Sequence, residues 1–199
     1  MQNIPQPRGG VNVLATPQAY ATGELIRLFY LAPMTAYFLM WTYNELALAL
    51  SMWVGIRVDS NFNRLPLATS VREFWLRWHI TVGRWAFKYI YFPIGGNRGL
   101  VPLHYLAVFL AVAVWHGAGW SGLIWGMSQG VAMSVVWWFY NFRRKRGWED
   151  RPSGPAWAAT CWFVTMHYQL ATIVIGLDPH YFGMRILPEL FSRLTGIGG

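Results

Sequence analysis

Three stretches of this chain contain no Asp, Glu, Lys or Arg: Leu28 to Asn44, Gly99 to Phe142 and Pro152 to Leu177. A bilayer's hydrocarbon core is about 30 Å thick and takes roughly 20 helical residues per crossing, so the middle run is long enough for two spans and the outer ones for about one each. Composition agrees. Of 199 residues, 55% are hydrophobic, 18% aromatic and only 12% charged, which is too oily for an ordinary soluble domain. The sequence therefore predicts an all-α, polytopic integral membrane protein.

The opening MQNIPQPRGG carries one Arg, two Pro and two Gly with no apolar core behind them, unlike a signal peptide. Residues 1–23 are expected to form an exposed N-terminal segment and residues 24–199 a membrane-embedded domain. The formal charge is +8, gathered at Arg143 to Arg146 and along Arg57 to Lys88, beside the apolar runs. Such clusters fit the cytoplasmic face of a lipid bilayer rather than a nucleic-acid groove. The single Cys161 excludes an intramolecular disulfide and is most simply core packing.

Glu24 to Ile56 is helical in composition, interrupted by Pro33 and by Asn44-Glu45, so either one long tilted helix or a broken one is expected. Arg57 to Thr69 has the Asp, Asn and Pro of a loop, and Ser70 can cap a following helix that stops near Pro93 and GGNRG. Pro102 to His116 and Gly122 to Phe142 then form a hairpin joined by GAGW. A basic loop to Arg151 leads to a last span near Pro155 to Ile175, and DPHYFGMRILPELFSRL reads as a short amphipathic tail. Both open ends of the hairpin are basic, at Gly95 to Gly99 and Arg143 to Arg151, which places that side in the cytoplasm.

On a continuous helix after Ser70, Glu73, Arg77, Arg84 and Lys88 share one stripe, with Glu73 four residues before Arg77. Phe74, Trp78, Trp85 and Tyr89 form an aromatic stripe beside it, so this helix is expected to lie in the membrane interface. His79 points away from the charges, on a face with Gly83, Ala86 and Ile90 that is expected to look inward, its small residues letting another helix approach closely; periodicity alone leaves a structural hydrogen bond and a functional role open. His116 is sharper, because it sits in the uncharged middle run beside Trp115 and Gly117. An imidazole there needs a partner or a purpose, and a hydrogen bond to a neighbouring helix is the structural alternative. His104 and His167 read as structural. No Gly-rich phosphate loop, CxxC pair or HExxH motif occurs, no metal site is expected, and covalent catalysis has little to stand on. A buried neutral imidazole suits general-base chemistry.

NFNRLPLATSVREFWLRWHITVGRWAFKYIYFPIGGNRG, Asn61 to Gly99, followed by VWHGAGWSGLIWGMSQG, Val114 to Gly130, resembles the membrane-bound O-acyltransferases. The RWH and YxYxPxGG patterns look like the bacterial branch that acylates polysaccharides and teichoic acids, alginate O-acetyltransferases included. The resemblance covers a core motif region of residues 43–130. It implies a partial form of that family's helical fold, since family chains carry several additional N-terminal helices. It also implies a catalytic role for His116, with His79 as a second active-site residue. Trp115, Gly117, Trp78, Arg77, Asn61 and Glu45, which lie in or beside the same motifs, are implied as substrate-binding. The implied reaction transfers an acyl group, acetyl in this branch, to a hydroxyl of a polysaccharide or other cell-envelope acceptor. An acyl thioester, acyl-CoA or an acyl carrier protein, is the co-substrate, with no bound cofactor. Other cell-envelope acylation proteins are implied partners, and the bacterial cytoplasmic (inner) membrane is the implied location. The chain departs from the family pattern at Gln129, at Lys88 and at Asn44-Glu45. The alternatives are a non-catalytic scaffold or inactive truncated homologue, and a haem-binding membrane protein using His104 and His167.

Overall fold

The computed structural model describes residues 17–117, 119–148, 154–176 and 182–196. Most of the expected N-terminal segment, part of the basic loop before Arg151 and the start of the amphipathic tail lie outside them. The described residues are helical, in seven α-helices.

The first, α1 (Thr22–Trp53), is one unbroken helix with Pro33 inside it, which settles the open question about that segment. Its 32 residues at about 1.5 Å each exceed the hydrocarbon thickness. A loop and a 3₁₀ turn at Leu65–Leu67 lead to α2 (Val71–Arg77), capped as expected by the Ser70 hydroxyl, which accepts from the Glu73 amide at 3.1 Å.

The segment from Ser70 to Pro93 is not the single interfacial helix its periodicity suggests. It breaks at Trp78-His79 into α2 and α3 (Ile80–Ala86), and α3 runs into a π-turn at Phe87–Tyr91. The break splits both stripes. Arg77 pairs with Glu73, whereas Arg84 pairs with Asp59 in the preceding loop. Phe74 is buried and Trp78 half-buried against Tyr37 and Phe62, leaving Trp85 and Tyr89 to face outward.

The hairpin is present as α4 (Val101–Trp115) and α5 (Trp120–Lys145). Gly126 and Gly130 let the two helices touch: a Cβ on Gly126 would fall 2.7 Å from the Phe109 carbonyl oxygen, and one on Gly130 would fall 2.7 Å from Leu106 Cα. This is small-residue packing of the kind that joins helices in lipid. Gly83, the small residue the sequence singles out, has only ordinary room, its nearest neighbour being the Trp75 carbonyl oxygen at 3.8 Å. The last span, α6 (Pro155–Gly176), packs on α5 and α1, and α7 (Phe182–Thr195) buries Ile186 and Leu190 against Leu25 and Val174.

By length and apolarity α1 and α6 can cross a membrane. Helix α4 has 15 residues, so it rises roughly 22 Å and ends short of a full crossing. His116, at its C-terminus, therefore lies roughly 22 Å along the helix from the basic end of the hairpin.

In the interior, Gln129 is fully buried and bonds on three sides: it accepts from Trp75 Nε1 at 3.0 Å and donates to Gln169 Oε1 at 3.1 Å and to the Thr172 hydroxyl at 2.8 Å. Buried amides of this kind are stable only when satisfied. The network ties α2 to α5 and α6, behind the break.

Candidate active site

The break in the α2–α3 segment is built from upstream. Asn61 carries it: its backbone carbonyl accepts from the Ile80 amide at 3.1 Å, and its side-chain oxygen accepts from the Thr81 amide at 2.9 Å and from the Thr81 hydroxyl. These are first-turn amides of α3, which would otherwise lack partners. The Arg77 carbonyl accepts from the Asn63 amide at 3.0 Å, and the Arg77 guanidinium donates to the Asn63 and Arg64 carbonyls.

Held between these bonds, His79 adopts φ +46°, ψ +51°. That left-handed conformation costs a non-glycine residue roughly 1–2 kcal/mol. A non-glycine residue in this region persists only where its surroundings over-determine it, and such residues gather at functional sites. Among the described residues, His79 Nδ1 is the one buried side-chain nitrogen or oxygen with no hydrogen-bond partner. Phe62 and Trp78 pack against its ring, at 5.5 and 5.3 Å between centroids.

His116 closes α4, with its amide donating to the Val112 carbonyl at 3.0 Å. Gly117 follows at φ +124°, a conformation that glycine adopts freely and side-chain-bearing residues avoid. The imidazole is exposed, with the Trp115 ring at 4.6 Å on one side and the Trp125 ring at 5.9 Å on the other. The two histidines, 37 positions apart in sequence by subtraction, lie near enough for their charges to interact. His79, in the break and outside the spanning helices, is held below the usual imidazole range, first by burial and then by the charge that His116 would carry. The His79 ring is thus held in its neutral, proton-accepting form.

The other implied residues fall into two groups. Trp78 packs on His79, and Trp115 and Gly117 flank His116, so all three border the histidine pair. Arg77 and Asn61 instead spend their hydrogen-bonding groups on the protein, shaping the break. Glu45 accepts from Trp41 Nε1 on its own helix, one residue beyond Asn44, which meets Asn61 at 3.5 Å. Periodicity also missed Trp125 and Gln129; the bare WxxxQ spacing between them gives no signal of it.

The two other described histidines are hydrogen-bonded within the protein. His104 donates from Nδ1 to the Gly96 carbonyl at 2.8 Å, its ring lying where a Gly95 Cβ would stand. His167 donates from Nδ1 to the Phe163 carbonyl at 2.9 Å and accepts from the Tyr30 hydroxyl at 3.0 Å on Nε2. Both nitrogens of His167 are used within the protein, which removes support for axial haem ligation there.

A cleft of about 1040 Å³ lies elsewhere, between α2, the basic end of α5 and the start of α6, and is lined by Arg72, Glu73, Arg144 and Trp157 among others. Volume alone would put a site there. Its carboxylate, Glu73, is committed to Thr69 and Arg77, whereas the histidine pair offers an uncommitted nitrogen. Chemistry favours the histidines.

Buried polar side chains among apolar helices, and a buried, unpartnered imidazole nitrogen at a strained helix break, mark an all-helical membrane protein with a candidate site. The chain belongs to the membrane-bound O-acyltransferase family, whose model matches residues 23–175. It is similar to the peptidoglycan O-acetyltransferase of Helicobacter pylori, with 36% identity over 127 residues, 62% of this chain and 24% of that protein. It is also 36% identical over 96 residues to the probable alginate O-acetylase AlgI of Azotobacter vinelandii, covering 47% of this chain and 19% of the relative. The teichoic acid D-alanyltransferase of Bacillus subtilis is 25% identical over 116 residues, 53% of this chain and 29% of that protein. The chain thus spans less than a third of the length of these relatives.

Proposed function

We propose that the protein is an O-acyltransferase acting on a hydroxyl of a cell-envelope polymer, with His116 as general base. The observation that supports this is the buried Nδ1 of His79, left without a partner at a strained helix break within electrostatic reach of His116. In the proposed step the His116 imidazole accepts the acceptor hydroxyl's proton while the oxygen attacks the carbonyl carbon of an acyl thioester. The new C–O bond forms, the C–S bond breaks, and the leaving thiolate recovers the proton from the imidazolium. His79 Nδ1 hydrogen-bonds the reacting groups and orients them, and Trp78, Trp115 and Gly117 line their path. Arg77 and Asn61 hold the break open. Glu45, exposed near it, is a candidate for acceptor hydroxyls.

Acetyl is the favoured acyl group, because relatives named for acetyl transfer match this chain at 36% identity. Acyl-CoA and an acyl carrier protein are the two donor classes that supply the required thioester. Bacterial relatives and the basic hairpin end support the cytoplasmic membrane as the location, with other envelope-acylation proteins as partners.

The test is transfer of radiolabelled acetyl from a thioester to polymer in membranes holding matched amounts of wild type and His116→Ala. The substitution should lower turnover by about 10² to 10⁴-fold, the usual worth of a general base. Full activity in His116→Ala would overturn the mechanism.

A further inference from the structure

We propose that Trp125 is a positioning residue for the His116 imidazole, and that Gly176, on a helix with no candidate catalytic side chain, sets where Trp125 stands. The catalytic consequence rests on the acyl-transfer reading; the geometry does not.

His116 ends a helix, and no described residue hydrogen-bonds its ring. Its orientation therefore depends on what packs against it. Trp115 is 69% exposed and is poorly placed to fix anything. Trp125 is 9% exposed and meets the imidazole edge-to-face, at 5.9 Å and 82°, an arrangement aromatic rings prefer.

Trp125 is itself gripped from three helices. Trp75 of α2 packs on it at 5.9 Å and 69°, and Phe109 of α4 at 6.4 Å and 81°. Gly176 of α6 faces it so closely that a Cβ there would fall 2.8 Å from Trp125 Cγ and 2.9 Å from Cδ1. Trp75 in turn donates to Gln129, which bonds Gln169 and Thr172 of α6. The indole is thus a fixed backstop, and the end of α6 is in contact with it. A side chain at Gly176 would therefore displace the Trp125 indole, and with it the surface against which the His116 ring packs.

The experiment uses the full chain, with ring-¹³C histidine, in detergent for spectroscopy and in membranes for transfer. The His116 resonance is assigned by its loss in His116→Ala. It should move in Trp125→Leu, which removes the indole ring current, and in Gly176→Ala, while the His104 resonance stays. In transfer assays at matched abundance, Gly176→Ala should lower kcat by about 10 to 10²-fold with KM little changed, the scale of a displaced catalytic group. Trp125→Phe should retain most activity. In a Trp125→Ala background, where the clashing ring atoms are gone, Gly176→Ala should cause no further loss.

An unmoved His116 resonance in both Trp125→Leu and Gly176→Ala would overturn the proposal. So would a Gly176→Ala loss that persists undiminished without the indole, since it would not pass through Trp125. A resonance that moves in both variants, when the wild-type chain itself transfers no acyl group, would uphold the geometry and count against the acyl-transfer reading alone.

Discussion

His79 concentrates several unfavourable features in one residue: a left-handed backbone, half-burial and a buried ring nitrogen without a partner. Each costs free energy, and Asn61 and Arg77 supply the bonds that hold them in place. The lowered pKa of His79 has a definite sign. The unfolded chain takes up this proton near the ordinary value of about 6.5, whereas the folded chain resists it to lower pH. Stability from this group is complete above that value and declines as pH falls from there toward the folded pKa. His79→Gln, which cannot titrate, should flatten the acid side of a thermal-stability profile below about pH 6.5 relative to wild type. An unchanged profile would mean that His79 is already satisfied by a group on the protein.

At the scale of elements, the helices of the hairpin and the last span were legible in the sequence, because uncharged runs bounded by glycine, proline and basic residues leave few alternatives. The Ser70 cap was legible too. The break at Trp78-His79 was not, since Glu73 to Lys88 keeps helical periodicity and the groups that stop it come from Asn61, well upstream. Gly83 was misread for the same reason. Its face was inferred from a continuous helix, while the tight contacts are at Gly126 and Gly130, a GxxxG pair within the Trp120–Lys145 helix. Gly130→Leu should thus destabilise the chain by about 1–3 kcal/mol or more through overpacking against Leu106, and Gly83→Ala should be nearly neutral. Thermal denaturation of purified variants compares them; equal losses would restore the inward reading of Gly83.

For the whole molecule, the helices set a direction. The basic hairpin ends and the large cleft lie together, and His116 stands about 22 Å along α4 from them. If that basic side is cytoplasmic, a cysteine placed at Arg146 in a Cys161→Ser background should react with a membrane-impermeant thiol reagent only after cells are opened. Labelling from outside intact cells would invert the topology. Recognition of the histidine pair came from the joint order of RWH and WHG in the sequence, but their nearness in space, and the role of Gln129 and Trp125 behind them, required the fold.

In the proposed mechanism His116 and His79 work in one site on one reaction. The most direct measurement is a double-mutant cycle on acetyl transfer, comparing His116→Ala, His79→Ala and the double substitution at matched membrane abundance. Groups acting as a unit are strongly non-additive. The double variant should be about as slow as His116→Ala alone, with His79→Ala showing the smaller single loss. Losses that multiply, or a His116→Ala protein as active as wild type, would contradict a shared site.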